Sequence, residues 1–115
     1  MSMRTIIDAY STAARGHSVA LNSSNSTVCT IPRTSSGQKP AFVRVKLTAG
    51  SAHVFPGATA TSATATTGDT VLTADESFIL VCAGFNAVGG RQIGSTDATL
   101  QLTPLEEGAV GAPTV

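Results

Sequence analysis

Apolar and polar residues alternate with a period of two over much of this chain, and no window sustains the period of a helix. The clearest stretch is 41–48. There Ala41, Val43, Val45 and Leu47 fall on one side and Phe42, Arg44, Lys46 and Thr48 on the other, as in a strand with one buried face. Residues 98–103 repeat the pattern, with Leu100 and Leu102 inward and Thr99, Gln101 and Thr103 outward. Shorter strand candidates occupy 17–21, 52–55, 70–73 and 27–32, the last stopping at Pro32, whose missing N–H cannot continue an inner ladder. Residues 77–83 are apolar on both sides and predict a central strand.

Turn signals separate these runs: Asn/Ser-rich 22–26, polar 33–40, Gly50, Pro56-Gly57 and Ala74-Asp75-Glu76. Gly84, Gly89 and Gly90 predict a flexible link that leads through Phe85 to Arg91. Residues 58–68 alternate Ala and Thr. They predict either an exposed β-edge or a loop lying on a partner, because alternating Ala offers little apolar area to anchor a strand. About seven or eight short strands, with turn signals every 8 to 12 residues or so, predict an all-β domain, a single small β-sandwich or barrel. It spans 15–103, between an N-terminal arm (1–14) and a C-terminal tail (104–115). The arm reads as one helical turn or as a strand that docks on a neighbour, and the tail has no core-forming pattern.

Composition changes this picture in one respect. Only 12% of the residues are charged, about half the usual share, so the exterior must be mostly Thr, Ser, Ala and Gly. Hydroxyls and methyls leave water more cheaply than ammonium and carboxylate groups do, which suits a surface that partners cover. The core is expected to be thin as well, since the chain has four Phe, one Tyr and no Trp, and many of its apolar residues are Ala. Oligomerisation is one route by which such a domain gains stability.

The net charge is zero, which argues against nucleic-acid binding. The distribution is uneven. Arg4, Arg15, Arg33, Lys39, Arg44 and Lys46 oppose only Asp8 in the first 46 residues, while Asp69, Asp75, Glu76, Asp97, Glu106 and Glu107 oppose only Arg91 afterwards. If the two halves occupied different faces, copies would pair head to tail; if they interleave in one sheet, the charges cancel locally. The N-terminal residues show no signal-peptide pattern and no run is long and apolar enough to span a bilayer, so no membrane partner is expected. Synthesis in a cytoplasm is the expectation, with Cys29 and Cys82 as reduced core thiols and the sequons at Asn22 and Asn25 unused.

Candidate chemistry is sparse. The chain lacks a Gly-x-Ser-x-Gly elbow, a phosphate loop and a His-Glu-x-x-His pair. His17 and His53 have no carboxylate or thiol at ligand spacing, and the adjacent acids Asp75-Glu76 and Glu106-Glu107 point apart on turns and stay solvated. No enzyme activity, metal or cofactor is expected. Phe42 beside Arg44 and Lys46 forms an aromatic and cationic stripe, read as a solvated face or a subunit contact.

From Ala41 to about Leu105 the chain resembles the small decoration or cement proteins and other head-associated virion proteins of tailed bacteriophages. The features that carry the resemblance are the strand Phe42-Val-Arg-Val-Lys-Leu, the Thr/Ala-rich loop, the segment Val71-Leu-Thr-Ala-Asp-Glu-Ser-Phe-Ile, a glycine-rich bend and the closing Ala98-Thr-Leu-Gln-Leu-Thr-Pro. The resemblance implies a compact β-domain, a homo-oligomer with a trimer favoured, bound to the major capsid protein on the outside of an icosahedral head. It implies no catalytic residues. The expected location is the virion surface, and the expected contacts are the two arms and the 58–68 loop. Candidate interface residues are Ile6, Ile7 and Tyr10 in the N-terminal arm, Phe42, Arg44 and Lys46, Phe55, and Thr61, Thr64 and Thr66. The alternatives are a head–tail connector or tail-terminator ring subunit and, from another class, a carbohydrate-binding β-sandwich. The last is disfavoured because such sites rely on exposed Trp and Tyr.

Overall fold

The computed structural model describes residues 10–12 and 15–107. They form nine strands: β1 (Tyr10–Thr12), β2 (His17–Ala20), β3 (Thr27–Thr30), β4 (Phe42–Leu47), β5 (Ser51–Gly57), β6 (Thr70–Thr73), β7 (Ser77–Val81), β8 (Ala87–Gln92) and β9 (Thr99–Glu107). No helix occurs among the described residues. All pairings are antiparallel. The first sheet runs β2-β9-β4-β7, with β1 sharing the β2 edge of β9, and the second runs β3-β8-β5-β6. From β2 to β9 the chain changes sheet at every connection except β5 to β6. This connectivity is that of an eight-stranded jelly roll, a sandwich built from two Greek keys.

The two sheets close on each other through the predicted inward faces. Val43, Val45 and Leu47 of β4 and Leu100 and Leu102 of β9 meet Ala52 and Val54 of β5, Leu72 of β6 and Val88 of β8, with Leu21, Cys29 and Cys82 completing the core. No aromatic ring is fully buried among the described residues; Phe78 and Phe85 pack at the margin. Among the described residues Gln92 is the buried polar side chain. Its Nε2 donates to the Gly94 carbonyl at 3.2 Å and its Oε1 accepts from the Ala98 N–H at 3.1 Å, which ties the turn between β8 and β9.

Four expectations need correction. The run at 77–83 predicted to be central contains β7, an edge strand. Its outer face is apolar because Ile79 and Val81 lie exposed there, 41% and 56% accessible, and no further layer covers them among the described residues. The glycine-rich link is instead β8, flanked by β3 and β5 and buried along most of its length. Its glycines serve close packing: a Cβ on Gly89 would collide with the carbonyl oxygen of Ala63, and one on Gly90 would press into Leu21 at 2.9 Å.

The third correction concerns residues 58–68, which form a loop packed on their own second sheet rather than a β-edge. Ala63 and Ala65 are buried. Ala63 sits over Gly57 and Gly89 on the outer face of the second sheet, and the Ala65 N–H donates to Ser26 Oγ at 2.9 Å. Small alternating side chains let the loop backbone approach the sheet that closely.

Lastly, the closing strand does not stop at Thr103 but continues through Pro104 to Glu107, where β1 pairs with it. Tyr10–Thr12 is therefore a strand on its own chain, while residues 5–9 of the segment read as a helical turn or a docking strand lie outside the described residues. The edge partner of β9 is interrupted in a telling place. Thr12 pairs with Leu105 and His17 with Leu102, so the register slips by two opposite Thr103 and Pro104. Leu100 and Leu102 turn their backbone groups toward β2, because the Leu21 N–H donates to the Ala98 carbonyl in the same ladder. Pro104 faces the same side, so its missing N–H coincides with the break between β1 and β2.

Candidate interaction surface

Register fixes what each outer face presents. On the first sheet three rows cross β7, β4 and β9: Val81–Phe42–Leu105, in which Leu105 is itself buried, Ile79–Arg44–Thr103 and Ser77–Lys46–Gln101. Arg44 and Lys46 thus stand beside an apolar patch made by Ile79, Val81 and Phe42. No described carboxylate side chain lies in these three rows, so the face is cationic and apolar together. Arg44 is exposed; Lys46 and Phe42 are half-buried.

The outer face of the second sheet differs. Phe55 is 41% accessible and Val71 48%, with His53 and Arg91 paired across β5 and β8 between them. The 58–69 loop covers the rest. Thr61, Thr64 and Thr66 are exposed on this loop, yet they serve its internal bonding: Thr64 Oγ1 donates to the Thr61 carbonyl at 2.8 Å, and the Thr66 N–H and hydroxyl both donate to Asp69 Oδ2, at 2.7 and 3.2 Å.

The candidate residues therefore separate. Phe42, Arg44 and Lys46 lie on one outer face; Phe55, Thr61, Thr64 and Thr66 lie on the opposite one, and a single flat contact cannot take both. Tyr10 is placed by its backbone opposite Glu107, and Ile6 and Ile7 lie outside the described residues, as do residues 108–115 of the tail. Sequence reading missed Ile79, Val81 and Val71. The double-sided apolar run at 77–81 carries the signal, but the same composition predicts a buried strand. The two halves of the chain also interleave in both sheets, so the uneven charge along the sequence does not sort onto two separate sheets.

Titratable and nucleophilic groups are dispersed. His17 Nδ1 contacts the Thr30 carbonyl at 2.8 Å, and His53 Nδ1 the Asp69 carbonyl at 3.1 Å. Among the described residues no group of three or more His, Cys, Asp and Glu lies close enough to hold a metal ion. Glu76 Oε1 accepts the Thr73 N–H at 2.8 Å, and the Thr73 backbone and side-chain hydrogen bonds hold its carboxyl below the ordinary range.

Cys29 and Cys82 are free thiols enclosed in the core. Burial pushes Cys29 up to about 11 and raises Cys82 as well, with the charge of Lys39 pulling the latter partly back. Iodoacetamide at about pH 8 is expected to leave both unmodified in the folded protein and to label both in urea, as read by mass spectrometry. The unfolded thiol ionises near 9 and folded Cys29 only near 11. Between those values the unfolded state binds fewer protons, so stability falls as pH rises through that window.

Set against known proteins, the chain matches no family model, no curated protein and no solved structure.

Proposed function

We propose that this chain is a non-enzymatic structural protein of a virion, a decoration or cement protein that binds the outside of an icosahedral phage head and bridges its capsid subunits. The observation that carries the reading is the exterior. A chain with only 12% charged residues presents an open cationic and apolar sheet face around Ile79, Val81, Arg44 and Lys46. The apolar part of that face gains from burial, while Arg44 and Lys46, costly to dehydrate alone, call for carboxylates on the partner. The jelly-roll topology is compatible with this role, since viral capsid domains use it; so do lectins and cupins, and fold alone does not select among them. The segment resemblance over 41–105 supports the capsid choice, with the major capsid protein and further copies of this chain as partners and a trimer as the arrangement the resemblance implies.

The proposed action is mechanical. A shell pressed from within by packaged genome separates where several subunits meet, and a protein spanning those subunits adds contact area that must be lost first. Several copies acting together multiply the effect, because one released contact is re-formed at high effective concentration. Copy number in purified particles tests the reading. Quantitative mass spectrometry is expected to find this chain at a count comparable to that of the major capsid protein. A single ring's worth of copies would instead identify a connector or tail-terminator subunit, and absence from particles would reject a virion role.

A further inference from the structure

We infer that β7 is a self-association edge: two copies pair their β7 strands antiparallel about a two-fold axis centred on Ile79, fusing their first sheets into one continuous sheet. The inference goes beyond the proposed function, since it holds for this fold whether or not the chain decorates a capsid.

Hydrogen-bond parity comes first. The Leu47 N–H donates to the Glu76 carbonyl at 3.2 Å and the Cys82 N–H to the Ala41 carbonyl at 2.9 Å. Residues 76, 78, 80 and 82 therefore turn their backbone groups toward β4. Ser77, Ile79 and Val81 turn theirs away from the sheet, giving three N–H donors and three carbonyl acceptors along about 14 Å of edge. Among the described residues none pairs with them. A two-fold axis at Ile79 sets Ile79 opposite its own copy and Ser77 opposite Val81 of the partner subunit. All of these outward groups then exchange hydrogen bonds.

Side chains agree with that register on both faces. Outside, Ile79 meets the partner's Ile79, covering residues now 41% exposed. Inside, half-buried Phe78 falls opposite Leu80 of the partner subunit, which extends the core across the axis. No like charges are brought together, because 77–81 carries none. The strand also lacks the Lys, Pro or bulge with which exposed edges discourage pairing.

Pairing about Ile79 also places Cys82 opposite Glu76 of the partner subunit, just beyond each end of the paired strands. An isologous contact of this kind closes on itself and yields even-numbered assemblies, so it either replaces the trimer that the resemblance implies or joins two such trimers into a hexamer.

Sedimentation of the purified full chain is expected to give twice the chain mass of 11.6 kDa, or a larger even-numbered assembly. Ile79→Lys is expected to abolish the dimer or halve the assembly, because two ammonium groups meet on the axis. Val81→Lys, at a residue 56% exposed, is expected to weaken it with the fold retained by circular dichroism. Val71→Lys on the opposite outer face is expected to leave the mass unchanged. Ile79→Cys is expected to give a reducible covalent dimer on a non-reducing gel. A monomeric or trimeric wild type, or an oligomer that survives both lysine variants at β7, overturns the inference. Copy number in particles is measured separately and stands or falls without it.

Discussion

Gly89→Ala is expected to destabilise the domain by about 3 kcal/mol, the upper part of the range for forcing atoms into a filled space. Gly89 lies in β8, between β3 and β5, and its missing side chain points at the outer face of the second sheet. A methyl there would run into the carbonyl oxygen of Ala63 and come within 2.8 Å of its carbonyl carbon. Neither side gives way cheaply. β8 is held on both edges, and the loop is pinned by the Ala65 N–H to Ser26 Oγ at 2.9 Å and by Asn86 Nδ2 to the Ala58 carbonyl at 2.9 Å. The sheet must bend or the loop must lift, which exposes Ala63 and Ala65 and strands those hydrogen-bonding groups. Urea unfolding measures the loss, with Gly68→Ala as the control: Gly68 is exposed and has open space around its Cβ position, so its variant should shift stability by less than about 0.5 kcal/mol. Equal midpoints for the two variants would mean that the loop does not rest on the second sheet.

The same contact shows where sequence reading stops. Alternation in 41–48 and 98–103 marked β4 and the start of β9 with their inward residues, because one buried face imposes a period of two on a strand whatever its neighbours are. Strand order left no such trace. The apolar run at 77–81 has the composition of an inner strand, and only pairing reveals that it ends the first sheet. Gly89 and Gly90 carry a turn-like composition, yet they sit where the loop and Leu21 press on the sheet from either side. The 58–68 alternation was visible, but its meaning depended on a surface supplied by residues 57 and 89, which lie far apart in sequence. The candidate interface suffered most: Phe42, Arg44 and Lys46 share one face by period alone, whereas their separation from Phe55 and the loop threonines follows from which sheet each strand joins.

Leu102→Ala is expected to cost about 4 kcal/mol, within the range for truncating a large aliphatic side chain that cannot be replaced by local collapse. Leu102 is fully buried in β9, opposite Val45 on one side and His17 on the other. The buried cluster it belongs to consists of Leu, Ile, Val, Ala and Cys, with Phe78 and Phe85 only partly buried against it. A domain of this length has a stability of about 5–15 kcal/mol, and a core without a fully buried aromatic belongs near the lower end. The variant is therefore expected to be largely unfolded at the temperature where the wild type melts, with its thermal midpoint lowered by roughly 15 °C or more. Concentration separates the core from the contact between copies. Association favours the folded state by mass action, so the midpoints of both the wild type and Leu102→Ala should rise with protein concentration, while that of Ile79→Lys should stay flat. A loss below about 1 kcal/mol for Leu102→Ala would mean that the space is refilled from the half-buried margin around Phe78 and Phe85, and that the interior is less spare than its residue types imply.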